Sequence, residues 1–559
     1  MHDFYIDMRR SIIIITCLFC CLWTVSCSKT GVAYSETGDI KPETGATVYG
    51  MVSVEGKPLS GVAVSDGVDI VTTGKDGIYH LPSAKKNGLV FISMPSGYKI
   101  KSSMALYPFW RSLKKDPDIP ERVDFELISQ VQNEFTLVAM PDIQLFSNSS
   151  ASAFTGAFVN ELNRYVKSNS SIPIYGITLG DMTWDWFWYA NDFGIERYIA
   201  CLNTLRGIPV FHTVGNHDCD MQYNSLEEFQ NTGEDWTCMR KYRSLLGPTC
   251  FSYNIGGVHF VSLDNVITTN TGGTDDKNSR GCWRGVTAPD MEWLKKDLAL
   301  VSAQTPVVVS LHIPLINRYG EPGTTDQNSL SVNTKAQDIV APFAKFKKIL
   351  VLSGHSHILY NVARDISGVS VTEWNSGAIC GDFWQTATNA SINVCTDGTP
   401  GGYRLISVRD GIVTDCTYKG IGKDASYMFR SYDRNMMNLS RESLGDYTAG
   451  DIAGASKDNW VYIRVWDWKD SWKLSVKESG KQLNVTQFRS YDPLYMLLFT
   501  QKLTSNKPNI TTNMFKVKAS SRDSSLEITV TDEYGRSVME VMKRPKAFDV
   551  ETYFLEHAD

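Results

Sequence analysis

The sequence predicts an α/β protein: a central α/β sandwich flanked by an N-terminal β-sandwich and a C-terminal, mostly-β domain. Three observations carry that expectation. Between 133 and 420, apolar β-rich runs at 135–140, 174–179, 209–214, 306–311 and 349–352 alternate with helix-period segments at 151–167, 192–205, 289–300 and 334–346. Such alternation argues helices layered on a sheet. From 46 to 128, short alternating strands are broken by turns such as Gly56-Lys57-Pro58 and Lys75-Asp76-Gly77, the pattern of a small β module. From 421 to 559, strand-like segments rich in aromatic residues return, for example at 460–466 and 526–531. A hairpin is expected at 251–255 and 258–263, joined through Gly256-Gly257. At 559 residues the chain exceeds what one core supports, so several domains are expected.

The ends and the composition limit where the protein works. Arg9-Arg10 precede an apolar run over 12–25, which is the length of a signal-peptide core and short for a membrane span. The run closes on Thr24-Val25-Ser26-Cys27. Small residues before a Cys resemble a bacterial lipobox, although Thr24 stands where Leu is usual. The reading is a leader over 1–26, a lipid on Cys27 and a polar tether over 27–45. That places the protein outside the cytoplasm, in the periplasm or on the cell surface, and attaches it to the membrane only through the lipid. A plain signal peptide cut near Ser26 is the alternative. A net charge of -6 without a basic stripe argues against nucleic acid as a partner.

Eight of the 12 Cys lie between Cys201 and Cys416. An even number in an exported chain makes disulfides plausible, with Cys380 and Cys395 a short-range pair.

Five clusters carry the chemistry, each at the end of an apolar run: Asp142-Ile143-Gln144, Gly180-Asp181, Gly215-Asn216-His217-Asp218, His312 and Gly354-His355-Ser356-His357. The chain has 9 His, and four fall in the last three clusters. Strand ends are where open α/β sheets place their sites. Hydrolysing a phosphate ester needs a carboxylate shared by two metal ions, further oxygen and imidazole ligands, and an acid for the leaving group. The clusters supply that inventory. Taken singly, Gly-Asp can be a turn, Gly-Asn-His-Asp a helix cap and His312 a core residue.

The order Asp-x-Gln, Gly-Asp-x-x-x-Asp, Gly-Asn-His-Asp, His, Gly-His-x-His resembles the calcineurin-like metallophosphoesterase family over about residues 133–420. The resemblance implies a metallophosphoesterase with two divalent ions. Asp142, Gln144, Asp181 and His357 would hold the first; Asp181, Asn216, His312 and His355 would hold the second. Asp181 would bridge them, and a water activated between the ions would be the nucleophile. His217 would protonate the leaving oxygen or bind the phosphate, and Asp218 would orient it. One position departs from the family pattern, because Gln144 stands where a His is usual. An amide oxygen is a harder ligand than imidazole, which favours manganese, iron or magnesium over zinc there. Separately, Gly61–Gly67 with Thr73–Tyr79 resembles the β modules of carboxypeptidase-regulatory-like domains.

The implied function is hydrolysis of a small phosphorylated substrate, either a phosphomonoester or a phosphodiester. Trp184, Trp186, Phe187 and Trp188 follow Asp181. They either stack a base or sugar ring, which favours a nucleotide or sugar-nucleotide pyrophosphatase, or pack the following helix. Trp374, Phe383 and Trp384 are candidates to close the same pocket. Lys277, Arg280, Arg284 and Arg318 are candidates to grip phosphate. His212 and His259 read as structural. The rival from another class is a surface-binding scaffold that holds no metal.

Overall fold

Two β-sheets face each other at the centre of the protein. In chain order their strands are β1 (Glu134–Met140), β2 (Ile174–Leu179), β3 (Val210–Thr213), β4 (Phe251–Ile255), β5 (Val258–Ser262), β6 (Val307–Ser310), β7 (Lys348–Ser353), β8 (Leu359–Ile366), β9 (Val369–Ser376), β10 (Gly402–Arg409) and β11 (Ile412–Gly420). The first sheet has the order β3-β2-β1-β10-β11 and the second β4-β5-β6-β7-β9-β8. This computed structural model describes residues 40–220, 235–270, 280–318, 320, 322, 329–330, 335–384, 393–504 and 506–554. The leader, Cys27, most of the tether and Lys277 lie outside them. The chain divides into Met1–Lys41 and Pro42–Asp559, and every element named here belongs to the second unit.

In the first sheet β1, β2 and β3 run parallel, while β10 and β11 are antiparallel additions. In the second, β5, β6, β7 and β9 are parallel; β4 and β8 pair antiparallel at the edges. The hairpin expected at 251–263 is β4 and β5. The parallel strands are continuous apolar runs because both faces are covered; all six residues of β2 are buried. Between the sheets, Thr213 Oγ1 sits 3.0 Å from Ser262 Oγ and donates to Ser310 Oγ at 2.9 Å. The second sheet thus hydrogen-bonds to the first just before the chain enters the loops after β3 and β6.

Helices cover the outer faces where the sequence period places them. The first runs from Asn148 to Ser168 with a π-helical turn at Phe154–Val159. Ser147 caps it by accepting from Ser150 N. Phe154, Phe158 and Leu162 pack beneath it with Met140, Ile174 and Val210. A second helix spans Ala288–Ala299, with Thr287 as its cap and Pro289 in its first turn. The segment expected to be helical at 334–346 is an α-turn at Ala336–Val340 continued as 3₁₀ helix at Ala341–Phe346. Pro342 explains the change, because it removes an N–H from the ladder.

Two smaller pairs of sheets flank the centre. A six-stranded and a four-stranded sheet occupy residues 48–129. Val52, Phe91, Phe109 and Phe125 share one apolar cluster with Phe211, Phe251 and Tyr253 of the central strands. Two four-stranded sheets occupy 429–542, with a helix at Pro493–Thr500. Buried ion pairs join this part to the centre. Arg404 of β10 pairs with Asp467, and Arg464 Nη2 lies 2.8 Å from Asp397 Oδ2. Asp397 also accepts from Leu359 N and from the hydroxyl of Thr399. Among the described residues no helix is long and apolar enough to cross a membrane.

The eight cysteines expected to form disulfides are all free thiols, Cys380 and Cys395 included. Six are buried and serve as small apolar residues.

Removing the carboxylate of Asp397 strands a fully buried guanidinium. Asp397→Ala should therefore destabilise the protein by about 3–5 kcal/mol, measured as a loss of unfolding free energy in urea. A loss below about 1 kcal/mol would show that the pair is dispensable.

Candidate metal centre

Five parallel strands, three from one sheet and two from the other, deliver the five sequence clusters to one place. Met140 of β1 pairs with Thr178 of β2, Leu179 with Thr213 of β3, and Ser310 of β6 with Leu352 of β7. That register ends the strands abreast, so the loops after them meet. Asp142 follows β1, Asp181 follows β2, Asn216 follows β3, His312 follows β6, and His355 and His357 follow β7. The structure brings all seven expected ligands together.

The loops turn sharply. Asp142, Gln144, Asp181, His355 and His357 all have positive φ, between 44° and 68°. This left-handed region is uncommon for residues with a Cβ, and Asp, Asn and His tolerate it best. Glycines provide the room. A Cβ on Gly180, itself at φ 89°, would lie 2.3 Å from His312 Nδ1, and one on Gly354 would lie 2.4 Å from Asp142 Oδ2.

The tighter half of the centre is built around His312. Its Nδ1 lies 2.8 Å from Leu179 O, so Nδ1 carries the hydrogen and Nε2 presents a lone pair. That Nε2 is 2.9 Å from Asn216 Oδ1, 3.3 Å from Asp181 Oδ2 and 3.2 Å from His355 Nδ1. Acceptor atoms crowded in this way repel one another unless a cation lies among them. Ligand atoms about 2.0–2.2 Å from one ion sit roughly 3 Å apart, which is the spacing observed. Asp181, His312 and His355 are the only three such ligands within 4.8 Å of one another among the described residues. Burial opposes a charge on His312, yet Asp181 draws its pKa up to about 9. Burial likewise opposes the Asp181 carboxylate, but His312 and His217 hold its pKa well below the usual range. The donor set fits a divalent ion.

The other half comprises Asp142, Gln144, His357 and the second side of Asp181. His357 Nδ1 faces Gly381 O at 3.0 Å, which leaves Nε2 directed at Asp142 Oδ1, 3.4 Å away. Backbone carbonyls thus fix both imidazoles in the tautomer that binds metal. The carboxylate of Asp142 accepts from His355 N. Gln144 donates through Nε2 to Asp181 Oδ2 at 3.2 Å and turns its Oε1 toward Cys380. Rotating the amide by half a turn exchanges the two atoms and gives an oxygen ligand.

His217 donates its backbone N–H to Asp181 Oδ1 at 2.7 Å. Its ring Nδ1 lies 2.7 Å from Asp185 Oδ1, the last residue of the Gly-Asp-x-x-x-Asp motif. The expectation that Asp218 orients this ring is therefore corrected. Asp218 is fully buried and accepts from Gly215 N, Thr183 N and Thr183 Oγ1, so it braces the loops beneath His217. Burial and the nearby Asp181 charge raise its pKa.

Sequence reasoning missed three other supports. Asn265, just past β5, accepts from His312 N and Ile313 N. Asn375 donates to Gly354 O and accepts from Ser356 Oγ. The 377–384 loop lies along the first cluster, with Ile379 N and Cys380 N donating to Pro141 O and Asp142 O. Asp382 in that loop is held by Thr504 Oγ1 and Asn506 Nδ2 from the C-terminal sheets. A polar residue at a strand end was the signal for Asn265; in the loop the signal was aromatic, Phe383 and Trp384, and said nothing of its backbone contacts.

Aromatic rings form a wall beside the cluster. Trp184 and Trp186 lie 5.8 and 6.2 Å from the His217 ring, and Phe383 stacks on His357 at 4.4 Å. Phe146, Phe187 and Phe383 pack round Trp184. Trp188 is core instead, and Trp384 donates to Ile143 O. Trp374 faces away, under Lys469 and Arg404. Among the cations proposed to grip phosphate, Arg318 is buried and donates to Asn361 O. The side chain of Arg280 lies outside the described residues. Burial and His312 depress the pKa of His355, and the charge of Arg284 adds to that effect. His212, read as structural, contacts Tyr198 OH at 3.1 Å. His259 bonds to Asn254 of the hairpin and to Asp297 of the Ala288–Ala299 helix.

Family models match three successive segments: the N terminal of calcineurin-like phosphoesterase at 46–130, calcineurin-like phosphoesterase at 147–359, and the C terminal of calcineurin-like phosphoesterase at 373–537. A comparison with curated proteins finds no match. Among solved structures, a purple acid phosphatase from yellow lupin (Lupinus luteus) seeds is 12% identical, covering 65% of this chain and 67% of that one at TM-score 0.31. A 5'-nucleotidase from Candida albicans is 15% identical, covering 44% and 46% at TM-score 0.25. The NAD nucleotidase of Haemophilus influenzae is 11% identical, covering 52% and 49% at TM-score 0.27. The chain spans about half the length of the two nucleotidases.

Two measurements follow. Asp382→Ala releases the loop that carries Gly381 O and Phe383, so affinity for one ion of the pair should fall about 10–100-fold. Metal analysis after dialysis at limiting free manganese should then give close to one ion per chain, and a retained pair would exclude the role. Burial lowers the pKa of His212 to about 3 in the folded protein, below its unfolded value of about 6.5. The folded state then binds fewer protons, so its contribution is complete above pH 6.5 and is lost as pH falls toward 3. Stability should drop by up to about 1.4 kcal/mol per pH unit through that window, and His212→Gln should flatten the slope.

Proposed function

The chain belongs to the calcineurin-like phosphoesterase family, and from that premise we propose that it cleaves a small phosphomonoester or phosphodiester whose leaving group is flat and apolar. It is a metal-dependent phosphoric ester hydrolase with a centre for two divalent ions. The observation that carries this reading is the convergence of Asp181, Asn216, His312 and His355 on one point, with Asp142, Gln144 and His357 beside it. When bound, the ions supply a Lewis-acid clamp on the phosphoryl oxygens and an acidified water.

The rest of the work falls to the side chains. Asp181 lies between the two ligand sets and carries a negative charge at neutral pH. His217 stands at the rim, half-buried, with Nδ1 held by Asp185. That bond leaves Nε2 free to give a proton to the departing oxygen. The charge of Arg284 bears on His355, which makes it a candidate to receive the charge of a phosphoryl group. The indoles of Trp184 and Trp186, with Phe383, offer a ring platform beside His217. A nucleotide or sugar-nucleotide pyrophosphate is the second reading, favoured by the same wall. Export and a lipid on Cys27 remain part of the proposal, supported by the Arg9–Cys27 sequence.

The roles separate experimentally on p-nitrophenyl phosphate and bis-p-nitrophenyl phosphate after chelation and re-addition of manganese, iron, zinc or magnesium. Asp181→Asn should lose bound metal together with nearly all turnover. His217→Ala should keep its metal and lose about 10²–10⁴-fold in kcat. Equal losses in both variants with metal intact would overturn the assignment, and no turnover or metal in the parent protein would restore the binding-scaffold reading.

A further inference from the structure

A second cavity, of about 300 Å³ and distinct in its lining from the metal centre, lies where the N-terminal sheets meet the central domain. Lys86 comes from the N-terminal side; Asp235, Trp236, Arg243, Asp264 and Asp290 come from the central side. Among the described residues its buried arginine is placed unlike the others.

The exception is Arg243. Among the described residues seven arginines are buried: Arg243, Arg318, Arg404, Arg430, Arg434, Arg464 and Arg544. Six of them have a carboxylate within 4.0 Å, supplied by Asp470, Asp467, Asp492, Asp451, Asp397 and Asp433 respectively. Arg243, only 6% exposed, has none among the described residues. Its one hydrogen bond goes to Trp236 O, and its guanidinium lies 5.4 Å from the centre of the Trp236 ring. Lys86 approaches the same ring, also at 5.4 Å. This makes one wall of the cavity cationic.

The opposite charges are close but not in contact. Asp264 accepts from Val266 N at 3.1 Å through one oxygen, and Asp235 accepts from Thr268 N through one oxygen. Asp290 accepts from Thr287 Oγ1. None of the three forms an ion pair among the described residues. Burial raises the pKa of each, and neighbouring aspartates add to the rise at Asp235 and Asp264. Burial of an unpaired guanidinium and unpaired carboxyls is costly unless something bridges them. Side chains that needed only each other would close the gap, as the other six arginines do.

We propose that this cavity binds a small zwitterion, with an anionic group against Arg243 and Lys86 and a primary ammonium against Asp264 and Asp235. A planar guanidinium fork matches a carboxylate or a phosphate, so amino acids and phosphoethanolamine share the required chemistry. A bare divalent ion fits less well, because the three carboxyls do not gather within 4.8 Å of one another. The cavity's volume of about 300 Å³ suits a small molecule.

The test is calorimetric titration of the full chain with alanine, lysine and phosphoethanolamine. Acetate, methylamine and glucose serve as controls carrying one charge or none. At least one zwitterion should bind in the micromolar to low-millimolar range, and the three titrants separate carboxylate from phosphate as the anionic end. Arg243→Met and Asp264→Asn should each weaken that binding tenfold or more while both retain metal-dependent turnover. If Arg243→Met fails to fold, Asp264→Asn alone decides the matter, because it preserves shape and removes only the group that can ionise against an ammonium. The proposal fails if no zwitterion binds below 10 mM by the tenfold criterion, if the variants bind as the parent does, or if glucose binds in place of the zwitterions.

Discussion

Everything at the centre of this protein depends on the buried negative charge of Asp181. It sits between two ligand sets, accepts the backbone N–H of His217, receives the amide of Gln144 and faces the imidazole of His312. A carboxylate so removed from water is tolerable only where positive charge is certain to be near. The two sheets meet that condition by ending their parallel strands level, so that five loops reach the same point. The fold is, in effect, a means of bringing cationic partners to one carboxylate, and phosphate chemistry uses the ions that gather there.

Much of this was legible in the chain. The central strands announce themselves because both faces are covered, which leaves no room for polar residues and makes each a solid apolar run. The ligands follow because a strand must hand over to a loop where its apolar run stops. Residues such as Asp142 and His355 are then conspicuous at those junctions. What could not be read depends on contacts between distant segments. Asp185 and Asp218 are both carboxylates near His217 in sequence or motif, and only the path of the loop decides which one meets the imidazole. The cysteines misled for a similar reason. Their even number suggested pairing, but the interior uses them as apolar filling. Trp374 and Arg318 looked like pocket residues from their neighbours in sequence, yet Trp374 lies under Lys469 and Arg318 faces Asp470 instead.

The flanking sheets are more than appendages. The N-terminal module shares one apolar cluster with the central strands, so neither could be withdrawn without exposing core. The C-terminal sheets reach the centre through polar groups, with Arg464 at Asp397 and Thr504 with Asn506 at Asp382. Apolar packing supplies adhesion on one side, and directed hydrogen bonds supply position on the other. The loop carrying Gly381 and Phe383 lies on the positioned side, which ties the aromatic wall to a part of the chain more than a hundred residues away.

Five of the seven ligand positions hold a left-handed backbone that an ordinary residue avoids, at a cost of order 1–3 kcal/mol each. The loops are therefore closer to a set spring than to a rigid socket, and the cation is the latch that keeps them in place. Without an ion, relaxation should begin at these turns and stop at the strand ends, where the ladders resume. Metal loss and unfolding thus become separable events. Glycine at any of these positions would ease the backbone even as it removed the ligand, so the empty protein gains what the loaded one loses. Selection for stability alone would erode this centre from its turns.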